Sequence, residues 1–173
     1  MMPILEYRES KDNDRSKKSV WWFLDQSLRL HRAPVLDSLC IKLGPHCPVH
    51  VDVAKWVAKA VDRFVRNLKF ELLWSADPIR LPKSLYTCET LVKLNLSHKV
   101  LIDSPSSTAH LPSLKKLYLI NVFSKDEASL VRFLSSCTVL KKLRITREED
   151  DNITHFFVIV PSLRDLSYHD YES

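Results

Sequence analysis

The chain has 173 residues, 45% hydrophobic and 27% charged, with a formal net charge of +5, which fits one ordinary globular domain and admits an acidic partner without requiring one. No apolar run reaches the roughly 18–20 residues of a membrane-spanning helix, and Met1-Met2-Pro3-Ile4-Leu5-Glu6 leads into charge rather than an apolar signal region, so a cytoplasmic or nuclear address is expected. A single glycine excludes glycine-rich phosphate loops.

Residues 1–18 read as a flexible lead-in, since Arg8 to Lys18 offers no apolar residue to bury. A helix is predicted from Ser19 to His31, with Val20, Phe23, Leu24 and Leu28 at helical spacing, ending before Pro34. Its expected role is to cap the end of the fold. Leu36 to Leu43 then alternates Leu39, Ile41 and Leu43 with Ser38, Cys40 and Lys42, the period of a strand with one buried face. Gly44-Pro45 turns the chain. Asp52 stands as N-cap before Val53, Trp56, Val57, Ala60, Val61 and Phe64, an apolar stripe at i, i+3, i+4, i+7, i+8 and i+11.

A second strand is predicted at Asn67 to Leu73 and a third at Leu91 to Ser97, followed by a polar loop from Asp103 to His110. A fourth, Leu114 to Ile120, precedes Ser124-Lys125-Asp126-Glu127, which has the form of a capping box. The helix it opens carries Leu130, Phe133, Leu134 and Cys137 on one side. A fifth strand is predicted at Leu140 to Thr146, and a sixth ends near Tyr168 after the acidic Glu148 to Asp151.

These strands share the pattern L-x-x-L-x-L. Six ladders occur: Leu36/Leu39/Ile41, Val65/Leu68/Phe70, Leu91/Leu94/Leu96, Leu114/Leu117/Leu119, Leu140/Leu143/Ile145 and Leu163/Leu166/Tyr168. Their middle residues are 29, 26, 23, 26 and 23 positions apart, within the ~20–29-residue period of leucine-rich repeats. The implied class is α/β: a leucine-rich-repeat solenoid over residues 19–170, with the N-terminal cap at 19–32. A curved parallel sheet of about six short strands would carry helices and loops on its convex side. The sixth ladder has no amphipathic cap after it, so an open, partly apolar edge is expected there.

The phrases Ala33-Pro34-Val35-Leu36-Asp37-Ser38-Leu39, Leu85-Tyr86-Thr87-Cys88-Glu89-Thr90-Leu91, Leu111-Pro112-Ser113-Leu114-Lys115-Lys116-Leu117 and Leu134-Ser135-Ser136-Cys137-Thr138-Val139-Leu140-Lys141-Lys142-Leu143 resemble the repeats of plant F-box/LRR proteins. The resemblance covers about residues 20–170. It implies substrate capture by the repeats, with an F-box recruiting a Skp1-like adaptor of a ubiquitin ligase and, in many members, a C-terminal FBD domain. No F-box pattern precedes residue 20 and none of FBD length follows Ser173, so adaptor binding is not expected of this segment. The asparagine common three residues after the last ladder leucine is replaced by Lys99, Val122 and Glu148, and irregular turns are expected in consequence.

The outward strand positions form the expected concave, partner-binding face: Lys42, Lys69, Lys93, Asn95, Lys116, Tyr118, Lys142 and Arg144, with Asn67, Asp165 and Ser167 beside them. Stacked about 5 Å apart, the cations would suit an acidic protein segment. The bland alternative is that they only keep an exposed sheet soluble. No base-reading motif or interleaved aromatics point to nucleic acid. Among Cys40, Cys47, Cys88 and Cys137, the matched places of Cys88 and Cys137, three before a ladder leucine, favour packing over disulfide or metal chemistry. His46, Cys47 and His50 lack a complete ligand set, nothing marks a nucleophile with an oxyanion hole, and no cofactor or enzymatic activity is expected. Besides a protein-binding scaffold, two alternatives stand: a degenerate fragment with no binding role, and a basic binder of nucleic acid or a phosphate ligand.

Overall fold

In a computed structural model the chain is described at residues 4–9, 20–30, 33–45, 47, 51–73, 77–104, 109–148 and 153–170. The elements run β1 (Ile4–Arg8), α1 (Val20–Leu30), β2 (Ser38–Leu43), α2 (Val53–Asp62), β3 (Asn67–Leu72), β4 (Ile79–Arg80), a 3-10 turn (Lys83–Thr87), β5 (Lys93–His98) and β6 (Val100–Ile102). They continue with β7 (Lys116–Ile120), β8 (Phe123–Ser124), α3 (Glu127–Ser135), β9 (Lys142–Arg147) and β10 (Asp165–Asp170). Seven strands form one parallel sheet in the order β1-β2-β3-β5-β7-β9-β10, and β4-β6-β8 form a second, smaller one. Chain order and sheet order agree, as expected of an α/β repeat fold.

The ladder pattern explains the register. Leu39, Leu68, Leu94, Leu117, Leu143 and Leu166 are partners on successive strands. Leu39 through Leu143 are buried in that row, each leucine contributing about 1.5–3 kcal/mol by leaving water. Ile41, Phe70, Leu96, Leu119 and Ile145 form a second buried row beside it. Three residues before the first ladder leucine, Cys88, Leu111, Cys137 and Val160 are buried at matched places. At three of these the turn repeats, with Leu114 N–H donating to Leu111 O, Leu140 N–H to Cys137 O and Leu163 N–H to Val160 O. Thr90 and Ser162 tie neighbouring repeats, donating to Val65 O at 3.0 Å and Leu140 O at 2.7 Å.

Several expectations are corrected. Residues 4–8, read as lead-in, form β1, because Leu5 and Tyr7 alternate inward and pack on the core beside Leu39 and Ile41. The rest of the 1–18 lead-in, beyond residue 9, lies outside the described residues. The large sheet therefore has seven strands rather than six. Strand β1 is its first edge, and α1 is the crossover into β2, packed on α2 and β1 with Leu24 and Leu28 buried, instead of a cap beyond the sheet.

Asp52 caps α2 as expected, accepting from Lys55 N–H at 3.0 Å. Phe64 does not join the apolar stripe: α2 has ended, the residue takes φ 58°, and its side chain is exposed. Ser124 does not cap α3. Asp126 does, accepting from Ser129 N–H at 2.6 Å, while Ser124 lies in β8 and donates to Asp126 O at 2.9 Å. The turns that lack asparagine are not irregular throughout. His98 (φ 68°) and Asn121 (φ 52°) bend the chain in the left-handed region, which both residue types tolerate better than most. Two residues later the chain joins the second sheet.

Candidate functional site: the open face of the sheet

One face of the large sheet packs on the core, and the other carries three rows of side chains. The first row is Ile4, Ser38, Asn67, Lys93, Lys116, Lys142 and Asp165. The second is Glu6, Cys40, Lys69, Asn95, Tyr118, Arg144 and Ser167. The third is Arg8, Lys42, Glu71, Ser97, Ile120, Thr146 and His169. All eight residues singled out from the sequence thus share one face, but not one electrostatic state.

Lys42 lies near the β1 edge and pairs with Glu71 at 3.0 Å. Lys142 pairs with Asp165 at 2.9 Å, and that hydrogen bond raises its pKa. Between these neutralised ends stand Lys69, Lys93, Lys116 and Arg144, all exposed. Tyr118 sits among them, with Lys93 Nζ 5.6 Å and Arg144 Cζ 5.9 Å from its ring centroid. Contacts of that kind hold each cation by about 0.5–1 kcal/mol at an exposed site. Asn95 is half-buried, its Oδ1 accepting from Ser97 Oγ at 3.4 Å.

Lys93, Lys116 and Lys142 stand directly abreast on β5, β7 and β9, and like charges facing each other across strands oppose folding. Tyr118 relieves Lys93, and Asp165 relieves Lys142. Lys116 has no carboxylate partner among the described residues. The arrangement is a cationic patch with an aromatic centre and an uncompensated lysine in the middle, able to hold carboxylates or phosphates.

Sequence reasoning missed Glu6, Arg8 and Glu71 on this face. Glu71 was reachable, being two residues beyond Lys69 on a strand of period two. Glu6 and Arg8 depended on β1, which only pairing with β2 creates. None of the four cysteines is in a disulfide. Cys40 is half-buried on the open face, its pKa raised by burial against the opposing pull of Lys69. Burial pushes Cys47 and Cys137 up to about 12, so both stay neutral thiols. His46 and His50 lie outside the described residues. Among the described residues no group of three or more His, Cys, Asp or Glu could hold a metal ion, and no helix is long and apolar enough to cross a membrane.

Parallel strands in chain order, with leucines repeated at one register and variable crossovers between them, define a leucine-rich-repeat protein. The family model described as "FBD-associated F-box protein At5g56370, LRR repeats" matches residues 53–173. The chain is 58% identical over 170 residues to the FBD-associated F-box protein At1g05080 of Arabidopsis thaliana, covering 97% of this chain and 38% of that protein. It is 54% identical to the F-box/FBD/LRR-repeat protein At1g22000 of the same plant, covering 97% and 35%. With the F-box/FBD/LRR-repeat protein At5g56420, also from Arabidopsis thaliana, it shares 42% identity over 98% and 40%. The chain belongs to the plant F-box/FBD/LRR-repeat family, and it spans about two-fifths of the length of these relatives. No solved structure matches.

Proposed function

We propose that this chain is a non-enzymatic binding module that holds an acidic segment of a protein partner against the open face of its sheet. In this it would act like the substrate-recognition repeats of an F-box/LRR ubiquitin-ligase receptor. The observation that carries the reading is Lys93, Lys116 and Lys142 abreast, with Lys116 uncompensated. A row of like charges works against folding and is relieved when carboxylates settle over it. The proposal takes the repeats to wind as a curved solenoid with this face concave, which the unbroken chain-order sequence of parallel strands supports. Recruitment of a Skp1-like adaptor is not assigned to this segment, because the matched family model is one of repeats. A cytoplasmic or nuclear address accompanies the proposal, in keeping with cysteines that form no disulfide.

The test is binding of a fluorescent Asp/Glu-rich peptide to the purified chain and to a variant carrying Lys93→Glu, Lys116→Glu and Arg144→Glu. Saturable binding that the variant loses, with an unchanged far-ultraviolet spectrum, is the expected result. Retention of single-stranded RNA with a steep salt dependence, and not of the peptide, would replace this reading with the nucleic-acid one. A chain that binds neither probe, or remains molten, returns the degenerate-fragment reading.

A further inference from the structure

Each ladder L-x-x-L-x-L has two intervening places between its first and second leucine, and only the second lies in a row of the open face. The first places form a rim along the N-terminal ends of the strands. Asp37, Arg66, Val92, Lys115, Lys141 and Arg164 immediately precede β2, β3, β5, β7, β9 and β10. Backbone bonding ties this rim from strand to strand. Arg66 O accepts from Val92 N–H at 2.8 Å and Lys93 N–H at 3.0 Å. Val92 O accepts from Lys115 and Lys116 N–H at 2.9 and 3.2 Å, and Lys115 O from Lys141 and Lys142 N–H at 2.9 and 3.0 Å. Each of these carbonyls fixes both the rim residue and the first open-face residue of the next strand.

Counted across the strands, the uncompensated cations alternate between rim and face. β3 offers Arg66 on the rim and β5 offers Lys93 on the face. β7 offers both, Lys115 on the rim and Lys116 on the face, and β9 offers Lys141 on the rim. All five are exposed, and none has a carboxylate partner among the described residues. The track also has ends. Neutral Asn67 follows Arg66 on β3, and the rim turns acidic at Asp37 beyond it. Lys142 follows Lys141 on β9 but is paired with Asp165.

We propose that the acidic segment taken by the open face lies extended across the strands along this rim, presenting five consecutive carboxylates to Arg66, Lys93, Lys115, Lys116 and Lys141. This rests on the acidic-segment reading and adds to it a direction, a register and a composition. An extended peptide turns successive side chains to opposite sides, which matches the order rim, face, rim, face, rim. The lengths agree as well. From β3 to β9 is three strand spacings, about 14 Å at roughly 4.8 Å each, and five extended residues span about 14 Å at roughly 3.4 Å each. Alignment along a strand meets fewer charges. The open face of β5 carries Lys93, Asn95 and Ser97, and that of β7 carries Lys116, Tyr118 and Ile120, a single cation each.

Two fluorescent peptides of equal length and charge test the track on the purified 173-residue chain. One has five consecutive aspartates flanked by two serines at each end, and the other has five aspartates alternating with serines. Extended, the alternating peptide turns every carboxylate to one side. The parent chain should bind the consecutive peptide about tenfold more tightly. A rim variant carrying Arg66→Gln, Lys115→Gln and Lys141→Gln should lose about tenfold or more for the consecutive peptide and under about threefold for the alternating one. Lys93→Gln with Lys116→Gln should weaken both. Unchanged far-ultraviolet circular dichroism in each variant establishes that the fold persists. Loss of net charge alone would weaken both peptides equally in the rim variant, and that result overturns the proposal, as does a parent chain with no preference. If the face variant weakens both peptides while the rim variant changes neither, the acidic-segment reading stands and the crossing track falls. Binding of neither peptide overturns both.

Discussion

Leu143 and Leu166 occupy the same place in successive repeats and face each other across β9 and β10, yet one is fully buried and the other half exposed. The difference lies in the neighbours. β9 has a strand on each side and α3 within the preceding crossover. β10 has one strand beside it, and the segment before it, 153–164, runs without helix. The first margin is better covered: Leu5 and Tyr7 of β1 are partly buried on the core, and α1 packs against their strand. In a repeat fold the ladder letter specifies a direction, while the adjacent repeat supplies the burial.

The largest effect that sharpens this contrast is a leucine truncation made at both places. Leu117→Ala, in the middle of the buried row, should cost about 2–5 kcal/mol of unfolding free energy in urea. Leu166→Ala should cost under about 1 kcal/mol, since much of its side chain already meets water. Equal losses would break the comparison. Next in size is Asp52→Ala, which removes the cap that accepts from Lys55 N–H on α2 and should cost about 1 kcal/mol. The same denaturant curves read it.

The smallest expected effect concerns how the segment before β10 is held. Glu127, at the start of α3, accepts from the His155 amide at 3.0 Å and the Thr154 hydroxyl at 2.9 Å. The His155 amide, then the Thr154 hydroxyl, hold its carboxyl below the ordinary value. A depressed folded-state pKa means that this contribution is present above the ordinary carboxylate range and lost as pH falls through the folded value. Protection of the His155 amide, its hydrogen-exchange rate taken against the intrinsic rate at the same pH, should therefore fall on acidification below that range. Glu127→Gln should show lowered protection already at neutral pH, with a flatter dependence of protection on pH. An unchanged rate in the variant would mean that the segment is held by its apolar side chains alone, making the far margin sturdier than its exposure suggests.

The parallel sheet was legible because one face must be apolar at period two and adjacent repeats must agree in register. Leu94, Leu117 and Leu143 meet both conditions. The second sheet was not legible. Ile79, Val100 and Phe123 begin strands of two or three residues, too short for a periodicity to register. Ser124 satisfied the spacing of a capping box, but Asp126 was closer to the first turn and took the cap. Of the candidate site, the cations were readable as outward-facing residues. Their neutralisation at both ends by Glu71 and Asp165 came from pairing across strands.

By itself the sequence determined which side chains face inward, how often the chain returns, and that the returning strands run parallel. Those follow from local alternation and from the number of residues needed to cross back. Only the tertiary structure decided that Ile4–Arg8 joins the sheet and that Lys116 stands without a carboxylate partner among the described residues. It also decided that Leu166 stays half in water. Each of these depends on what lies one strand away, and spacing along a single strand carries no record of its neighbour.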